Sequence, residues 1–139
     1  MRKIAVITGS RAEYGLLKPL ISAIDKTKDL ELQLVVTGMH LSSKFGKTFA
    51  EIEADGFQII RAVDSSLTED TAEAISKSIG TVISGFADVF NDLNPDLIIV
   101  LGDRSEIFGA ATAALVKNIP IAHIHGGETT EGAYDEAFR

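Results

Sequence analysis

The sequence predicts an α/β domain built on a doubly wound, parallel, Rossmann-like sheet. Short β-branched apolar runs alternate with longer stretches of helical periodicity. The first, fourth and fifth of those runs are nearly unbroken in apolar residues, as strands are when helices cover both faces of a sheet. Repeated βα alternation of this kind leaves few right-handed topologies.

Residues 3–8 (KIAVIT) form the first expected strand, closed by Gly9. Leu16, Leu17, Leu20, Ile21 and Ile24 then lie along one helical stripe. Residues 32–37 (LQLVVT) and 57–63 (FQIIRAV) read as the second and third strands. After them DSSLTED has the Ser, Thr and Asp composition of a helix start, with Thr68 or Thr71 as N-cap. Ile75, Ile79, Val82, Ile83, Phe86, Val89, Phe90 and Leu93 recur at spacings of three and four, the pattern of a long helix packed on a core. That helix stops at Asn94-Pro95, because the residue before a proline is pushed out of the helical region. Residues 97–101 (LIIVL) form the fourth strand, 105–117 a further helix and 119–124 (IPIAHI) the fifth strand. The last residues, AYDEAFR, open a new helical pattern that is cut within two turns. The expectation from the residues is that 1–139 is a piece of a longer protein.

Composition narrows the function. With 139 residues and 45% apolar content the chain can bury a real core. A net charge of -7, spread along the chain, argues against nucleic acid as a partner and fits a cytoplasmic protein. The absence of cysteine removes disulfides, thiolate metal sites and cysteine nucleophiles. The apolar run after MRK is too short for a signal peptide, and no run is long enough to span a membrane.

Open α/β sheets bind ligands outside the carboxyl ends of their strands, so the strand-end loops are where chemistry is sought. After the first strand, Gly9 and Arg11 precede a helix whose positive end suits a phosphate, although the dinucleotide and Walker patterns are both absent. A tight turn with a solvated arginine is the alternative. His40 follows the second strand, as a ligand contact or a solvated side chain. After the fourth strand, Asp103 and Arg104 stand just past Gly102, with Asp103 either at the mouth of a cleft or as N-cap of the next helix. The fifth strand end adds His123, His125 and Glu128, then Glu131, Asp135, Glu136 and Arg139. Carboxylates beside histidine are what proton abstraction and return require. A metal on His123, His125 and Glu128 is the rival, because an H-x-H pair on a strand would put both rings on one face.

The segments GSRAEYGLLKPL, VVTGMHLSSKFG, LGDRSEIFGAA and AHIHGGETTEGAYDEAFR, in this order and spacing, resemble the amino-terminal domain of the hydrolysing UDP-N-acetylglucosamine 2-epimerases. The resemblance runs over essentially the whole chain. It implies the amino-terminal half of a two-domain, glycosyltransferase-B-like enzyme with its active site in the interdomain cleft. It implies elimination of UDP through a 2-acetamidoglucal, then hydration to N-acetylmannosamine, for sialic acid type sugars. Asp103 matches the acid/base aspartate of the G-D motif, Asp135 the aspartate before the final arginine, Arg139 that arginine, and Arg11 the arginine near the diphosphate. His40 and Arg104 join Arg11 and Arg139 as substrate-binding candidates. Several relatives place a catalytic glutamate where this chain has His125, so His125 and Glu128 both stand as partners of Asp103. The resemblance implies no cofactor, neither metal nor nicotinamide, and a UDP-sugar partner, no nucleic acid, no membrane, and a homo-oligomer in the full-length enzyme. Two alternatives stay open: the same reaction on UDP-2,4-diacetamido-2,4,6-trideoxyglucose, of the legionaminic acid pathway, and a nucleotide-sugar binding fragment without turnover. The 139-residue chain by itself is expected to be inactive.

Overall fold

The computed structural model describes residues 1–38, 48–67 and 69–126. Within them the order is β1 (Arg2–Thr8), α1 (Arg11–Lys26), β2 (Leu30–Thr37), α2 (Phe49–Ala54), β3 (Ile59–Val63), α3 (Ala72–Leu93), β4 (Leu97–Leu101), α4 (Ser105–Val116) and β5 (Ile121–Ile124). The strands form one sheet in the order β3-β2-β1-β4-β5, and every pairing is parallel. This is the doubly wound arrangement the apolar runs predict, and its strand order reverses between β1 and β4.

Alternation along each strand divides the core into two layers. Ala5, Ile7, Val35, Ile98 and Val100 face α3 and α4, meeting Val82, Phe86, Phe90, Ile107, Ala110 and Ala114. Ile4, Val6, Leu34, Val36, Ile99 and Leu101 face α1 and α2, meeting Tyr14, Leu17, Ile21, Ile24 and Ile52. Each Val, Leu, Ile or Phe among them contributes about 1.5–3 kcal/mol through burial, which is why strands covered on both sides carry so few polar residues. Gly109 lets α4 approach α3 closely, since a Cβ there would come within 2.6 Å of Val82 Cγ1.

The boundaries have local causes. Thr71, not Thr68, is the N-cap of α3, its hydroxyl accepting from the Ala74 N–H at 3.1 Å. Asn94 ends α3 in the left-handed region, at φ 47°, with its N–H on the Phe90 carbonyl. The third strand starts at Ile59 rather than residue 57, because Asp55-Gly56-Phe57 closes α2: Gly56 takes a φ of 92° and the Phe57 N–H returns to the Ile52 carbonyl. The fifth starts at Ile121 rather than residue 119. Pro120 has no N–H to give a ladder, although its carbonyl accepts from Ile98.

Candidate active site

The registers Thr8↔Val36 and Leu101↔Ile124 bring the carboxyl ends of neighbouring strands level with one another. Beyond them the chain turns at Gly38 (φ 61°), Gly102 (φ 86°) and His125 (φ 62°), three left-handed positions at one edge. The switch point between β1 and β4 is therefore lined by the turn through Gly9, Ser10 and Arg11 on one side and Gly102, Asp103 and Arg104 on the other.

Asp103 is half-buried on this edge, two residues before α4 begins at Ser105. The N-cap position of α4 belongs to Arg104, whose side chain makes no capping bond, so the reading of Asp103 as that N-cap is corrected. The Gly102 N–H donates to the Ile124 carbonyl at 3.1 Å, tying the turn that carries Asp103 to the strand end that carries His125. His125 is exposed, immediately beyond β5. Arg11 opens α1 on the same edge, 73% exposed along its side chain, with its Nε 3.1 Å from Glu51 Oε2 of α2. His40, Glu128, Asp135 and Arg139 lie outside the described residues.

The H-x-H pair does not have the one-face geometry that the metal reading needs. His123 belongs to β5, and its Nε2 lies 2.6 Å from the Gly102 carbonyl, to which the ring N–H donates. His125 follows the strand with a left-handed backbone, so strand alternation no longer puts the two rings on one face. Gly126 packs on the His123 ring so closely that a Cβ there would overlap it. Among the described residues no three His, Asp or Glu side chains form a group able to hold a metal ion.

Two further carboxyls at the switch point are not singled out by the sequence reading. Glu13 and Glu106 are 6% and 2% exposed, and the Arg104 Nε stands between them, 3.2 Å from Glu106 Oε2 and 3.8 Å from Glu13 Oε2. Glu13 closes the β1–α1 turn: its Oε1 accepts from the Gly9 N–H at 3.3 Å, its Oε2 from the Ser10 hydroxyl at 3.0 Å, and its own N–H donates to Ser10 Oγ. Burial pushes its carboxyl up from 4.5 to about 7, against the opposing pull of the Ser10 and Gly9 hydrogen bonds and the Arg104 charge. The signal for Glu13 is present in the sequence, since S-R-A-E is a capping-box pattern. Nothing in RSEIF distinguishes Glu106 from an ordinary acid in the first turn of a helix.

The fold and the edge define the class: a doubly wound domain with carboxyl and guanidinium groups at its β1/β4 switch point, the place where open α/β sheets bind ligands. The model of the UDP-N-acetylglucosamine 2-epimerase family matches residues 22–139. The chain is 44% identical, over all of its length and 36% of the relative's, to polysialic acid biosynthesis protein P7 of Escherichia coli. It is 41% identical, over all of its length and 37% of the relative's, to the UDP-N,N'-diacetylbacillosamine 2-epimerase (hydrolyzing) of Legionella pneumophila. Among solved structures it shares its fold with the Neisseria meningitidis UDP-GlcNAc 2-epimerase bound to UDP-GlcNAc, at a TM-score of 0.80 and 24% identity over 100% of this chain and 37% of that one. The chain belongs to the UDP-N-acetylglucosamine 2-epimerase family. It spans little more than a third of the length of the curated relatives it matches.

Proposed function

We propose that the protein carrying this domain is a hydrolysing 2-epimerase that converts UDP-N-acetylglucosamine and water to N-acetylmannosamine and UDP. Membership of the family carries the reading, supported by a relative named for polysialic acid biosynthesis. In the first half-reaction a base takes the C2 proton while the C1–O bond to UDP breaks, leaving a C1=C2 double bond. In the second, water adds at C1 and C2 receives a proton on the opposite face. The first half needs a carboxylate for a weakly acidic C–H and donors for the departing diphosphate; the second needs an acid on the other side.

Asp103 fits the proton carrier: it is a half-buried carboxyl at the switch point that does not occupy its helix's N-cap position. His125, Glu128 and Asp135 are the candidates for the partner acid or base, His125 because an imidazole works near neutral pH. Arg11, Arg104, His40 and Arg139 are assigned to the anionic substrate. A second domain supplies the opposite wall of the cleft, which makes the 139-residue chain by itself inactive. The reaction needs no cofactor, and the full-length enzyme is a cytoplasmic homo-oligomer.

The identity to the Legionella relative favours a second reading, the same chemistry on a diacetamido-trideoxy UDP-sugar. Release of UDP from each nucleotide sugar by the full-length protein separates the two. Preference for UDP-N-acetylglucosamine supports the first reading, preference for the diacetamido sugar supports the second, and release from neither refutes both.

A further inference from the structure

We propose that Glu13 and Glu106 are positioning residues that fix Arg104 at the β1/β4 switch point as a ligand for the diphosphate of the UDP-sugar. The inference rests on the proposed function. It starts from geometry: the Arg104 Nε–H donates to Glu106 Oε2 at 3.2 Å, from the first turn of α4, and lies within ion-pair distance, 3.8 Å, of the buried Glu13 carboxyl from the first turn of α1. A long arginine is thereby ordered before any ligand arrives, which reduces the entropy lost on binding. Its side chain stays 37% exposed. The cluster is also packed against the neighbouring strand end, since a Cβ on Gly38 would come within 2.8 Å of the Gly9 carbonyl oxygen and 3.2 Å of the Glu106 carboxyl.

The alternative is a purely local role, with Glu13 closing a capping box and Glu106 complementing a helix start. The two roles part on Arg104: a local cap is blind to the guanidinium, whereas a positioning carboxylate loses its effect on binding once the guanidinium is removed.

The test is a double-mutant cycle in the full-length protein, reading the dissociation constant of UDP-N-acetylglucosamine, whose diphosphate keeps a constant charge near neutral pH. Glu106→Gln should weaken binding by about tenfold in the Arg104 background and by almost nothing in the Arg104→Ala background. Glu13→Gln should likewise weaken binding in the Arg104 background and leave it almost unchanged in the Arg104→Ala background. If Glu106→Gln does not fold, Glu106→Asp, which shortens the reach to Arg104, takes its place in the cycle with the same expectation. Additive losses or unchanged dissociation constants overturn the inference while leaving the proposed function standing. Failure of the unaltered protein to bind any UDP-sugar overturns both.

Discussion

Glu13→Gln should stabilise this domain at alkaline pH, by an amount that follows from the burial of one carboxyl. In the unfolded chain Glu13 titrates near its ordinary value of 4.5, and in the folded domain near 7. Between those values the folded state holds more protons than the unfolded state, so stability falls as the pH rises through that window and stays lowered above it. The displacement corresponds to roughly 3 kcal/mol at about 1.4 kcal/mol per pH unit. Glutamine imitates the protonated acid: its oxygen can accept from the Gly9 N–H and its amide can donate to the Ser10 hydroxyl, which stand 3.3 and 3.0 Å from the present carboxyl oxygens. Urea unfolding at a series of pH values should therefore show the variant and the original nearly equal at about pH 4, diverging to roughly 2–3 kcal/mol in favour of the variant by about pH 8. Other carboxylates titrate over the same range, but they do so in both proteins and cancel in the difference. Parallel stability curves would refute the reasoning, because they would mean that Glu13 ionises in the folded domain as easily as in water.

Asp103→Asn in the full-length protein should lower turnover by about 10²- to 10⁴-fold with a nearly unchanged melting temperature, since asparagine keeps the shape but cannot accept or deliver the reacting proton; steady-state kinetics and a thermal melt on the same sample check it. Gly109→Val should cost roughly 1–3 kcal/mol in urea unfolding, because Val82 is fully buried and its Cγ1 lies 2.6 Å from where the new Cβ would stand. Thr71→Ala should cost about 1 kcal/mol by the same measurement, through loss of the cap on the Ala74 N–H.

The parts of the fold that rest on burial were legible in the sequence. LIIVL and KIAVIT are apolar on both faces because helices cover both sides, and the stripe from Ile75 to Leu93 is α3. Short-range backbone chemistry was less so. FQ at the start of FQIIRAV looks like strand until Gly56 is known to end a helix in the left-handed region, and Pro120 shortens β5 by denying it a donor. The strand-end loops could be located because a parallel sheet puts them on one edge, and Asp103 and His125 do stand there. Which side chains meet across that edge could not. Glu13 and Glu106 are far apart in the chain, each with an ordinary local explanation, and only the β1–β4 pairing brings them to the same guanidinium.

The central claim is that the C2 proton of a UDP-sugar is removed and returned from solvent while UDP is released, and proton NMR of the full-length enzyme turning over UDP-N-acetylglucosamine in deuterium oxide tests it most directly. The account predicts free UDP and N-acetylmannosamine bearing deuterium at C2. N-acetylmannosamine that keeps protium at C2, or a product still joined to UDP, would contradict it.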